Sequence, residues 1–175
     1  NFSYRSFKPT KTLNRYFTGL YFKYNRIHDP NEFSSFTING EFNATNKKLH
    51  SFGTNFEINP GEQYDYFEPR NNFNSFFTTK NYYRHNVWIS SNYNNFFALD
   101  ANLGYATLFD DSRNFNNIYF SVSPRFKFNE RFLLVLEFER DEQRGDIGYV
   151  NGQNIDGEIV FGDRDRTDIE SSISA

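Results

Sequence analysis

The residues that could do chemistry in this chain are few and scattered. Glu137 and Glu139 lie two positions apart, so a strand would place both carboxylates on one face, as general acid–base work requires. The histidines His28, His50 and His85 are each isolated in the sequence. Neither kind of group has a second catalytic partner nearby, and no nucleophile elbow, phosphate loop or zinc-helix motif is present. We therefore predict no catalytic residue, no cofactor and no enzyme activity.

Two acidic segments could supply metal ligands. Residues 163–168 carry Asp at alternating positions, and carboxylate oxygens suit a hard cation such as Ca²⁺. The segment lacks the Gly and the bidentate Glu of a complete EF-hand loop, so a solvated loop is the better interpretation. Asp110 and Asp111 read as an ordinary acidic loop tip. Because the chain contains no Cys, disulfides, thiolate metal sites and Cys nucleophiles are excluded together. We predict no metal site.

Aromatic residues in a long polar stretch are the candidate ligand contacts. Tyr64, Tyr66 and Phe67 stand beside Asn and Asp residues, and exposed rings of this kind could stack on sugar rings. The alternative is that these rings fold the loop back over a barrel mouth or mark a membrane interface. The sequence leaves both interpretations open.

Composition limits the class of protein. Phe and Tyr contribute 23 and 12 residues, yet mean hydropathy is −0.77, so the aromatics are interleaved with polar residues. Disordered chains have few aromatics, and soluble cores add Leu, Val and Ile. The net charge of −3, without a basic run, gives a nucleic-acid partner no electrostatic support. This composition suits an amphipathic all-β protein.

Period-2 alternation of apolar and polar residues predicts eight strands. They cover residues 14–26, 36–43, 51–59, 83–90, 97–107, 117–128, 131–139 and 168–173, with a possible further strand end at 1–7. Residues 60–80 and 141–166 are predicted as long loops. Pro124 cannot donate to a ladder, so a bulge or a strand boundary is expected there.

Strand length and connection length favour a membrane barrel. No apolar run approaches the roughly 18 residues of a membrane helix, but a barrel strand needs only about 9–11. Short links at residues 45–48, 94–95 and 129–130 alternate with longer ones, as they do between the two rims of outer-membrane barrels. No charged residue lies mid-strand on the face that we predict to be outward, and the charges collect on the other face. We predict an antiparallel transmembrane β-barrel with a polar lumen.

Four short motifs resemble a family. They are Asp65-Tyr66-Phe67-Glu68-Pro69-Arg70, Phe97-Ala98-Leu99-Asp100, Gly148-Tyr149-Val150 and Phe161-Gly162-Asp163-Arg164. They resemble uncharacterised Bacteroidota outer-membrane barrels that carry an N-terminal carbohydrate-binding module of the family-9 type. The resemblance covers roughly residues 65–175 and implies an outer-membrane location and a barrel of more than eight strands. It transfers no sugar-binding or catalytic residue to this chain.

These observations lead to one leading hypothesis and two alternatives. Residues 1–175 are expected to be a segment of a single outer-membrane barrel domain, with upstream and downstream parts missing. Its expected partners are outer-membrane lipid, a glycan that it binds or passes, and other outer-membrane protein subunits. The alternatives are the barrel of a TonB-dependent nutrient-uptake transporter and a soluble extracellular β-sandwich that binds polysaccharide.

Overall fold

In a computed structural model the chain forms one antiparallel sheet of nine strands, arranged in the order in which they occur in the sequence. The structure describes residues 1–29, 31–69, 75–109, 113–150 and 160–174. The strands are β1 (Phe2–Ser6), β2 (Leu13–Arg26), β3 (Phe33–Asn46), β4 (Ser51–Asp65), β5 (Phe77–Ser90), β6 (Phe97–Leu108), β7 (Asn116–Lys127), β8 (Leu133–Tyr149) and β9 (Phe161–Ser174). Among these residues no helix is long and apolar enough to cross a membrane.

The prediction of an all-β antiparallel fold is confirmed, and the eight predicted strands correspond to β2–β9. The possible strand end at residues 1–7 is β1, which pairs with β2 from Phe2↔Leu20 to Ser6↔Tyr16. β1 and β9 have one partner strand each, so the sheet is open within the described residues.

The predictions of loops at residues 60–80 and 141–166 are wrong over much of their length. β4 continues to Asp65, and β8 continues to Tyr149 before β9 begins at Phe161. The ladder survives because bulges absorb the irregular residues: the register shifts between Asn59 and Glu62, and again between Gln143 and Asp146. Residues 163–168, predicted as a solvated loop, are therefore part of β9. Asp110 and Asp111 lie outside the described residues.

The expectation at Pro124 is also wrong. β7 runs through Pro124, which faces Leu99 of β6 without a register shift. On the β8 side the pairing stops after Val122↔Phe138 and resumes in the same register at Arg125↔Val135. The missing N–H of proline thus coincides with a gap in the pairing on one side and leaves the register unchanged on both.

The register places apolar and polar side chains on opposite faces of the sheet. The face that we call the apolar face contains the row Leu20, Gly40, Phe56, His85, Tyr105 and Ile118, which are successive cross-strand partners. The polar face contains the adjacent row Glu41, Asn55, Asn86, Gly104, Tyr119 and Asp141. No large side chain among the described residues is fully buried, and many apolar-face residues are exposed, such as Leu103 at 51% and Ile89 at 51%.

One part of the face prediction needs correction. Arg140 and Glu142 lie on the apolar face of β8, opposite Phe120 and Ile118. They lie within a 17-residue strand because β8 extends beyond its predicted end. Arg144 and Arg140 donate hydrogen bonds to Glu142, and these bonds hold the pKa of its carboxyl below the usual range. The run of apolar side chains on this face of β8 therefore ends at Phe138, and the polar side chains of Arg140 and Glu142 follow it on the same face.

The sheet is curled. Strands lie about 4.8 Å apart, so β5 and β9 would be roughly 19 Å apart on a flat sheet. The rings of Phe77 on β5 and Phe161 on β9 nevertheless have centroids 5.0 Å apart. Side chains stand roughly perpendicular to their sheet, so these two rings meet only if the sheet bends between their strands.

The apolar segments also shift steadily from strand to strand. The apolar segment of β2 is centred on Leu20. The row of cross-strand partners that starts at Leu20 reaches Glu142 on β8. The apolar residues of β8 are centred on Leu136, six positions before Glu142. A shift of six residues over six strand-to-strand steps corresponds to strands inclined by about 35° to the apolar band. This inclination falls at the lower end of the range found in outer-membrane barrels.

Two glycines with positive φ provide a test of the bulges. Gly145 has φ +64°, and a Cβ there would lie 2.6 Å from the backbone oxygen of Asn114. Gly61 has φ +77° and open space around the Cβ position. Gly61→Ala should cost about 1–2 kcal/mol of unfolding free energy from its backbone conformation alone. Gly145→Ala should cost more, because the backbone must also move. Urea unfolding of both variants measures this, and equal costs would contradict the tight packing at Gly145.

Candidate functional site

The polar face encloses a groove of about 590 Å³. Its polar and tyrosine lining residues come from every strand between β2 and β8. They are Tyr21, Asn39, Glu41, Asn55, Glu57, Arg84, Asn86, Asn102, Tyr119 and Asp141. Gly40 and Phe56 of the neighbouring apolar row also contribute to its lining. Since one groove touches seven neighbouring strands, the polar face is the concave face of the curled sheet.

The groove presents amides and mixed charges. Asn55 faces Asn86 across β4 and β5, and Glu57 faces Arg84 one step further along the same pair. Asn102 Oδ1 is buried and accepts no hydrogen bond from the described residues. Amides, carboxylates, a guanidinium and tyrosine rings together can hydrogen-bond and stack on a hydroxyl-rich solute. The arrangement is suited to contact with polar molecules.

The candidate ligand contacts lie at the rim where the longer connections are found, away from the groove. The ring of Tyr64 packs on Phe76 at 4.5 Å between centroids, and the ring of Tyr66 packs on Phe76 at 5.3 Å. Tyr66 is only 6% exposed, whereas Phe67 is 67% exposed. Of the three rings, Phe67 is therefore the most accessible to a ligand, and its contact with one stays a prediction.

The predicted acid–base candidates do not come together. Glu137 accepts a hydrogen bond from the Ser172 hydroxyl at 2.7 Å, while Glu139 lies opposite Glu170. His85 Nε2 lies 2.7 Å from Thr54 Oγ1 on the apolar face, and His50 Nδ1 accepts from the Asn92 N–H at 3.1 Å in a turn. Within the described part of the chain, no three His, Asp or Glu residues are grouped to hold a metal ion. The absence of catalysis stays a prediction.

A set of contacts between strands that are distant in sequence lies at the rim with the longer connections. We call these contacts, which involve Arg113, Asp146, Phe77, Glu68 and Tyr149, the cross-mouth contact set. Arg113 Nη2 lies 3.5 Å from Asp146 Oδ1, and both side chains are largely buried, with 16% and 15% of their surface exposed. The Arg113 guanidinium also lies 5.7 Å from the ring centroid of Phe77. Glu68 accepts a hydrogen bond from the Tyr149 N–H at 3.0 Å. These contacts join the β4–β5 and β6–β7 connections to the end of β8 across the concave face.

Sequence reasoning missed this contact set because its members are far apart in the chain. Arg113 and Asp146 are separated by 33 positions, and both fell in predicted loops. The local signal that could have indicated a continuing strand is the alternation of Ile147 and Tyr149 with Asp146 and Gly148.

A second cluster lies at the opposite rim. The Tyr93 hydroxyl donates to Asp100 at 2.5 Å, Arg125 Nε lies 3.5 Å from the same carboxylate, and the Arg125 guanidinium sits 4.5 Å from the Tyr93 ring centroid. Asp100 Oδ1 and Arg125 Nε are buried and form no hydrogen bond within the described residues. The contacts of the three side chains nevertheless connect the β5–β6 turn to β6 and β7, so we interpret the cluster as structural.

Replacing Arg113 tests the cross-mouth contact set. Arg113→Ala should lower the unfolding free energy by roughly 1–3 kcal/mol, because a hydrogen-bonded and largely buried charge loses its partner. Asp146 retains Arg164, whose Nε lies 2.9 Å away, which limits the loss. The control is Arg166→Ala: the Arg166–Asp168 pair is exposed at 58% and 52%, so its loss should cost at most about 1 kcal/mol. Amide hydrogen exchange should become faster at residues 145–149 in the Arg113 variant only. Unchanged exchange there would contradict the claim that Arg113 stabilises the end of β8.

Comparisons with known proteins give one match. No curated protein and no solved structure matches the chain. A family model described as "Domain of unknown function (DUF5916)" matches residues 1–175. The match spans the sheet, the groove and both rims, and the chain therefore belongs to the DUF5916 family.

Proposed function

We propose that this chain forms part of the wall of an outer-membrane β-barrel. The observation that carries the proposal is the apolar face of a single-layer sheet. Across β2–β7 its cross-strand rows carry no Asp, Glu, Lys or Arg between Tyr16 and Tyr24 or at the residues paired with them. In water, nothing in the described residues covers these side chains. Lipid would cover them.

Three further features support this proposal. β2–β9 are 12–17 residues long, which exceeds the about 9–11 residues that a tilted strand needs to cross a bilayer. The strands are inclined to the apolar band by about 35°. Tyr and Phe residues gather near both ends of the strands, as in the pairs Tyr24–Phe33 and Phe97–Phe126 at ring distances of 5.4 and 5.3 Å. Aromatic residues at these heights resemble the interface girdles of membrane barrels.

A soluble β-sandwich has less support. A sandwich buries the apolar faces of two sheets against each other. The described residues form one sheet, and close backbone contacts between strands occur only between sequence neighbours. The apolar face of that sheet remains uncovered.

The same groove is the basis of the proposed role in glycan binding or passage. A lumen wall lined with Asn39, Asn55, Asn86 and Asn102 offers paired donors and acceptors to sugar hydroxyls, and Tyr21 and Tyr119 offer flat faces. Mixed charges leave the lumen without a strong preference for ions of one sign.

Fractionation and permeability test the two halves of the proposal. The full gene product, expressed in its own cells, should fractionate with outer-membrane markers and migrate faster in gels before boiling than after it. Purified protein in liposomes should increase the entry of neutral oligosaccharides over protein-free liposomes. Recovery in the soluble fraction would contradict the membrane location. Membrane recovery without binding or entry of any oligosaccharide would contradict only the glycan role.

An arginine scan tests whether the apolar face contacts lipid. Leu103 is 51% exposed, so Leu103→Arg should be nearly neutral in water. In a bilayer the same change should cost roughly 2–4 kcal/mol, as should Phe56→Arg, because both side chains would face hydrocarbon near mid-strand. Asn102→Arg and Asn55→Arg on the polar face are the matched controls and should cost much less. Unfolding in lipid vesicles measures these differences, and equal tolerance on both faces would contradict the assignment of the apolar face to lipid.

A further inference from the structure

The outer edge of β9 is the longest open backbone surface in the described residues. β9 has 14 residues and pairs with β8 only, whereas β1, the other edge, has five. An edge strand presents a row of unpaired N–H and C=O groups to its surroundings. Ile169 and Ile173 on its apolar face are 61% and 76% exposed. The edge is open along both its backbone and its side chains.

The polar face next to this edge is crowded with carboxylates. Glu170 lies directly opposite Glu139, and Asp168 lies directly opposite Asp141. Glu137 is a diagonal neighbour of Glu170 on β8. Directly opposed side chains have Cβ atoms about 4.5–5.5 Å apart, and like charges at that spacing destabilise a sheet.

The described residues compensate only part of this charge. Arg166 Nε lies 2.9 Å from Asp168 Oδ2, and Ser172 donates to Glu137. Glu139 and Glu170 form no ion pair within the described residues. On the β7 side Glu139 faces Ser121, which is neutral. The position left for a counter-charge beside Glu170 is therefore across the outer edge of β9.

Two other occupants match that edge less well. All eight strand pairs are antiparallel, so β1 and β9 run in the same direction and their pairing would be parallel. An all-antiparallel barrel needs an even number of strands, so an odd number must be added to these nine. A second copy pairing antiparallel through its own β9 with Ile169 at the centre would set Asp168 opposite Glu170, so that register supplies no counter-charge. A dimer in another register is one of the outcomes that the peptide test separates.

We propose that the outer edge of β9 receives an antiparallel strand from outside residues 1–175, with Lys or Arg at the polar-face positions beside Asp168 and Glu170. Its alternate residues are apolar and continue the apolar face beside Ile169 and Ile173. The proposal rests on the proposed barrel only in needing a neighbouring wall strand. Pairing at the edge can be measured without a bilayer or a glycan.

Two synthetic peptides provide the test. Both have 14 residues that alternate Val with a charged residue, Lys in one peptide and Glu in the other. Binding to the whole chain in detergent micelles is followed by fluorescence anisotropy, and amide hydrogen exchange locates the bound peptide. The Lys peptide should bind at least roughly tenfold more tightly than the Glu peptide and should slow exchange in β9.

A charge reversal provides the matched control. Asp168→Lys with Glu170→Lys should reverse the preference, and each new Lys would face an acidic residue of β8, so the sheet should remain folded. Glu32→Lys with Glu130→Lys makes the same charge change in exposed turns and should leave the preference unchanged.

Several results would overturn the proposal. They are equal binding of the two peptides, slowed exchange in β1 and not in β9, absence of binding by both peptides, and a dimer that protects β9 without peptide. The barrel proposal is tested separately, by unfolding of the Leu103→Arg variant of β6 in lipid vesicles. Failure of the barrel proposal can therefore be distinguished from failure of the proposed strand pairing at β9.

Discussion

The structure depends on one constraint: a single antiparallel ladder carries all nine strands, and no second layer covers either face among the described residues. Side chains alternate between the two faces with a period of two, so the register of each pair decides which face every residue occupies. Across β2–β7 this register keeps the apolar residues together on one face. The sheet has no interior core of its own and needs another medium to cover its apolar face.

The curl and the inclination of the strands follow from the same ladder. A shift of one residue for each strand moves the apolar segments along successive strands, and the concave polar face then encloses a groove that seven strands line. The rim contacts close over that groove. Arg113 and Asp146 join the β6–β7 connection to the end of β8, and the ring of Phe77 on β5 contacts the ring of Phe161 on β9. The ladder sets the shape of the wall, and the rim contacts hold the ends of its hairpins.

Much of the fold could be predicted from the sequence, since alternation is strong wherever one face is apolar. Segments such as 51–59 and 97–107 alternate clearly; the first forms the N-terminal part of β4, and the second matches β6 to within one residue. The prediction failed where polar residues occupy both faces, at residues 60–65 and 141–146, because a strand with so few apolar residues lacks the period-2 signal. The bulges at Gly61 and Gly145 also interrupt the pattern that remains. The groove was predicted as a polar face, but contacts such as Glu68 with Tyr149 depend on curvature and could not be read from spacing.

Site-directed spin labelling of β6 in lipid vesicles tests the central claim most directly. The chain contains no Cys, so single Cys substitutions at positions 99–107 can each carry one label without background. If the apolar face contacts lipid, accessibility to oxygen should peak at positions 101, 103 and 105, and accessibility to a water-soluble nickel complex should peak at 100, 102 and 104. Accessibility to the nickel complex that is equally high at all these positions, or that peaks at 101, 103 and 105, would contradict the account.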